Sequence, residues 1–72
     1  MTEELKIGLL DVVQLIEDLP SEALLAGALG TVVDVHVTPC LAYEVEFCDN
    51  EGRTIALTAL LPTQVRLVWS RS

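Results

Sequence analysis

At 72 residues the chain makes one small domain, which buries only roughly 60% of the surface its unfolded form exposes, so self-association is an expected source of extra stability. Apolar residues form 51% of the chain against three aromatics, and acidic residues outnumber basic ones eleven to four, for a formal charge of −7. That balance argues against a core built on large rings and against nucleic acid or an anionic membrane as a partner, because Lys6, Arg53, Arg66 and Arg71 make no cationic stripe.

The start Met1-Thr2-Glu3-Glu4-Leu5 lacks the positive charge and apolar run of a secretory leader, and no stretch approaches membrane-spanning length. Two cysteines without such a leader point to reduced thiols and a cytoplasmic location. Met1 to Leu10 reads as an irregular lead-in or one short helical turn, since Leu9, Val12, Val13 and Ile16 fit a helical stripe while Gly8 opposes it.

A first strand is expected over Asp11 to Ile16, where Val and Ile suit the pleated backbone, and Glu17-Asp18-Leu19-Pro20 ends it. A long loop then runs to Gly30, with Ser21 placed to cap one turn and Leu24 or Leu25 placed to fold over an open barrel end. Gly27 and Gly30 are both candidates for a positive φ angle. The second strand, Thr31 to Val37, is expected to turn Val33, Val35 and Val37 inward and Val32, Asp34 and His36 outward.

After a turn at Thr38-Pro39-Cys40-Leu41, the third strand, Ala42 to Cys48, alternates Tyr43, Val45 and Phe47 with Glu44, Glu46 and Cys48. Asp49-Asn50-Glu51-Gly52 has the residues of a type I turn followed by a left-handed glycine, which closes a hairpin. The fourth strand, Arg53 to Leu60, sets Ile55, Leu57 and Ala59 against Thr54, Ala56 and Thr58, with Ile55 expected in the interior. Leu61 to Gln64 reads as a short 3₁₀ turn around Pro62, and Val65 to Trp69 as a fifth strand with Val65, Leu67 and Trp69 inward.

The expected fold is all-β: a small five-stranded SH3-like barrel over residues 11–69, with a long first loop and one 3₁₀ turn before the last strand. Residues 1–10 form the lead-in and 70–72 a tail. The string Asp11-Val12-Val13, Glu17-Asp18-Leu19-Pro20, Gly27, Gly30-Thr31-Val32-Val33, Tyr43-Glu44-Val45-Glu46-Phe47, Gly52-Arg53-Thr54 and Ala56-Leu57 resembles the small bacterial proteins grouped as a domain of unknown function, family 4926. The resemblance runs from Asp11 to Leu67 and implies an SH3-like barrel, with no established reaction or ligand to carry over. Through Gly27 to Val35 the chain is also similar to the KOW-type barrels of ribosomal and transcription proteins, which implies RNA contact through basic loops; here those loops hold Asp18, Glu22, Asp49 and Glu51.

Residues with chemistry are few. His36 has no visible nucleophile or orienting group and reads as a surface histidine beside Asp34 rather than a general base. His36, Cys40 and Cys48 match no metal-ligand spacing, and about 25 Å of strand separates the two thiols, too far for a disulfide. Gly27-Ala28-Leu29-Gly30 lacks the lysine and following helix of a phosphate cradle.

Neither a catalytic residue, a cofactor nor a metal is therefore expected. Asp34, His36, Glu44 and Glu46 form the candidate surface for a protein partner of basic character. The function expected is a non-enzymatic interaction module, an accessory or antitoxin-like subunit of a neighbouring gene product, with homo-oligomers allowed; the alternative is a KOW-type nucleic-acid-associated barrel, and a small hydrolase or metal protein is the third reading.

Overall fold

The computed structural model of the chain describes residues 7–71. The described residues contain five strands, β1 (Val12–Leu15), β2 (Leu29–His36), β3 (Ala42–Cys48), β4 (Thr54–Leu60) and β5 (Val65–Trp69), with 3₁₀ turns at Pro20–Glu22 and Pro62–Gln64 and no α-helix. All five strands pair antiparallel in one sheet, in the order β4-β3-β2-β1-β5. The sheet curls on itself. Ala56 and Leu60 from β4, at one end, share a single core with Val65 from β5 at the other, around Val13, Leu15, Val32, Tyr43, Val45 and Phe47. The result is a small all-β, barrel-like domain, with the long first loop and the 3₁₀ turn before the last strand where the sequence places them.

The loop after β1 is held by its own backbone. Leu19 and Leu24 bridge each other, the Asp18 carboxylate accepts from the Ala26 amide at 2.7 Å, and the Gly27 amide donates to the Leu15 carbonyl at 2.8 Å. Leu24 is thereby laid over the core while Leu25 stays in solvent. Pro20 opens the 3₁₀ turn, where its missing amide donor is no loss. No side chain caps that turn; Leu19 occupies the capping position, so Ser21 lies inside the turn and not ahead of it.

β3 alternates as expected, with Tyr43, Val45 and Phe47 buried. β2 does not. Val32 pairs with Val45 and Asp34 with Glu44, which leaves Val33 as an extra residue in the ladder. A bulge of this kind inverts the parity of everything on one side of it. Val32 is therefore the fully buried valine, Val33 faces solvent, and only Val35 of the expected inward trio packs against the core; Val37 lies beyond the strand and is 70% exposed.

The same correction applies twice more. In β4, Phe47 pairs with Ala56 and Cys48 with Thr54, so Ile55 is the extra residue; Ala56 and Leu60 are buried, whereas Ile55 and Leu57 are exposed. In β5, Leu67 pairs with Val13 and Trp69 with Val12, which leaves Val68 over. Val65 is buried and Leu67 half-buried, but Trp69 turns outward, 55% exposed.

Of the two glycines expected at positive φ, Gly27 has it, at +97°. Gly30 does not, and is required for space: a Cβ there would lie 2.5 Å from Val45 Cγ1 and 2.9 Å from Phe47 Cε2. The β3–β4 hairpin closes as the sequence indicates, through Gly52 at φ +82° and an Asp49 carboxylate that accepts from the amides of Glu51 and Arg53, both at 2.9 Å. Residues 7–10 form a turn; the expected lead-in over Met1 to Lys6 lies outside the described residues. No helix among the described residues is long and apolar enough to cross a membrane.

Candidate functional site

The outer face of the sheet follows from the buried one. Residues between the inward Tyr43, Val45 and Phe47 of β3 must point away from the core, which sets Glu44, Glu46 and Cys48 in a row toward solvent. Across the ladder, Glu44 stands between Asp34 of β2 and Ala59 of β4, and Glu46 between Thr31 and Leu57. The Glu46 row continues through Val12 of β1 to Trp69 of β5. One line across the whole sheet thus reads Leu57, Glu46, Thr31, Val12, Trp69.

Three of the four candidate residues are gathered at one spot. The His36 imidazole Nε2 lies 3.6 Å from Glu44 Oε1 and 4.0 Å from Asp34 Oδ2. Glu46, two residues along β3, shares their face but is engaged differently, accepting a hydrogen bond from the Thr54 hydroxyl. Asp34 Oδ1 also accepts from the Val35 amide at 2.8 Å, which fixes its carboxylate over the bulge. β2, β3 and β4 carry no lysine or arginine. Arg53, at the hairpin end, is held by Asp49 at 3.1 Å and Glu51 at 2.8 Å, and Arg66 on the far side donates to Gln14 at 2.9 Å.

The face is open rather than concave. A shallow depression lined by Val12, Leu29, Gly30, Thr31, Glu46 and Cys48 has a volume of about 130 Å³, below the roughly 300 Å³ at which small-molecule pockets begin. Among the described residues, no three of His, Cys, Asp and Glu are grouped to hold a metal ion, and Cys40 and Cys48 are both free and exposed. Chemically, the arrangement offers a fixed negative field over an apolar border, which suits attraction and burial of a large partner.

The chain matches, over residues 9–67, the family described as a domain of unknown function, DUF4926. The chain belongs to the DUF4926 family. No curated protein and no solved structure matches it. DUF4926 as a label carries no activity, so the chemistry of the face has to be argued from the residues themselves.

The acidic part of this face is legible in the sequence and its apolar border is not. By period alone Ile55 and Leu57 fall on one face of β4 and Trp69 on the inner face of β5, because a bulge leaves no mark in the periodicity. A signal was present in size: the residue opposite a buried Phe47 must be small, and Ala56 rather than Ile55 meets that need.

Proposed function

We propose that this DUF4926 chain is a non-enzymatic protein-interaction module, an accessory subunit of the antitoxin-like kind, whose outer sheet face receives a basic protein partner. The observation that carries the reading is the pairing of Asp34, Glu44 and Glu46 with exposed Leu57 and Ile55 on a face to which β2, β3 and β4 bring no lysine or arginine. Carboxylates steer a basic partner and select it, while desolvated apolar side chains supply most of the binding energy. A phosphate backbone would meet repulsion on the same surface.

The test is capture from extracts of the source cells with the tagged full chain and with its Glu44→Gln/Glu46→Gln variant. The expected result is one stoichiometric companion of basic character, held by the wild type, released as salt is raised, and lost from the variant. Recovery of the same companion by both proteins, or of none by either, contradicts the reading.

A further inference from the structure

The free edge of β4 borders the acidic face and shares Ile55 and Leu57 with it, but what it offers is unpaired strand backbone rather than carboxylates. β4 is the terminal strand of the sheet and ladders only with β3 among the described residues. Its sequence, Thr54-Ile55-Ala56-Leu57-Thr58-Ala59-Leu60, holds no charge and no proline, although charged residues and proline are the usual devices that keep an edge from pairing. The other terminal strand, β5, is guarded: Arg66 stands in it and is tied to Gln14. An edge that beyond the bulge at Ile55 has neither charge nor proline, and that carries the exposed Leu57, is a template for another strand.

We infer that the β4 edge is an isologous dimer contact with a second copy of this chain. Antiparallel pairing about a two-fold axis through Leu57 sets Ile55 against the second copy's Ala59 and Ala56 against the second copy's Thr58. Each large side chain then meets a small one, apart from the two leucines stacked at the axis. The bulge at Ile55 ends the ladder on each side, so the contact is short and centred.

Charge does not forbid it. In the paired sheet the two Glu44–Glu46 rows lie three strand spacings apart, roughly 14 Å, beyond the screening length of about 8 Å at physiological ionic strength. A basic strand added at this edge would have to reach over β4 to meet those carboxylates, whereas an uncharged strand needs no such reach, and β4 itself is one.

Sedimentation of the full chain over a concentration series decides it. Dimer is expected, and the dissociation constant falls as salt rises from roughly 10 mM to roughly 150 mM, because the screening length contracts from about 30 Å to about 8 Å while each copy stays acidic. Leu57→Lys, at an exposed position where an unchanged circular dichroism spectrum is expected, raises that constant at least about tenfold by opposing like charges at the axis; Val37→Lys, at an exposed apolar position outside β4, leaves it unchanged. A monomer throughout, a dimer indifferent to Leu57→Lys, or a dimer that dissolves as salt is added overturns the inference. Loss of the companion on changing Glu44 and Glu46 with the dimer intact tests the functional reading separately.

Discussion

Asp11 is the one buried charged side chain among the described residues, and it links the two ends of the described chain. Its Oδ1 accepts from the Arg71 amide at 2.9 Å and its Oδ2 from the Gly8 amide at 2.9 Å, while its backbone carbonyl receives the Val32 amide at 2.9 Å. The Arg71 and Gly8 amides hold its carboxyl below the ordinary aspartate value of 3.8, against the opposing effect of burial. Asp49 is lowered in the same sense, first by the Arg53 amide and then by that of Glu51. Because both bind protons more weakly in the folded chain than in the unfolded one, their contribution to stability is complete above about pH 4 and is lost as pH falls through the depressed folded values. Asp11→Asn replaces an accepting oxygen with a donor that faces the Gly8 amide. Urea unfolding at neutral pH should show a loss of about 2 kcal/mol, and the variant's stability should fall less steeply than the wild type's below pH 4.

At the level of the strand, three bulges decide which apolar residues are inside. The extra residues Val33, Ile55 and Val68 are β-branched and would be assigned to a core by type, yet all three are exposed. The bulges add twist, and twist curls a five-stranded sheet enough for β4 and β5 to share one core. This is why strands and turns were legible in the sequence while faces were not. β3 has polar residues at every second place, so its period admits one answer; β4 has apolar residues on both parities, and β2 has a valine on either side of the slip, so theirs admit two. Trp69 and Phe47 give the contrast an energetic test. Phe47→Ala should cost about 3–5 kcal/mol in chemical denaturation, as for a large ring removed from a packed core. Trp69→Ala should cost under about 1 kcal/mol, because the ring stands largely in solvent. Equal losses would put Trp69 in the core after all.

For the whole molecule, the separation of charge matters more than its total. Among the described residues, β2, β3 and β4 carry no lysine or arginine, and Arg53 at the hairpin end and Arg66 on the far side are already bound to neighbours. The acidic face was legible from the sequence because Glu44 and Glu46 alternate with buried residues and Asp34 and His36 share one parity of β2; what the bulge at Val33 changes, and no local pattern records, is which valine of that strand is buried. The proposed landing site for a basic partner is this face, rather than the hairpin tip or the acidic first loop. Amide shift mapping on the labelled full chain, titrated with a short lysine-rich peptide and separately with an oligonucleotide, tests it most directly. Peptide shifts are expected to concentrate at Asp34, His36, Glu44, Glu46 and Leu57 and to fade as salt rises, with none from the oligonucleotide. Shifts centred on Glu17 to Glu22 or Asp49 to Glu51, or any saturable response to the oligonucleotide, contradict it.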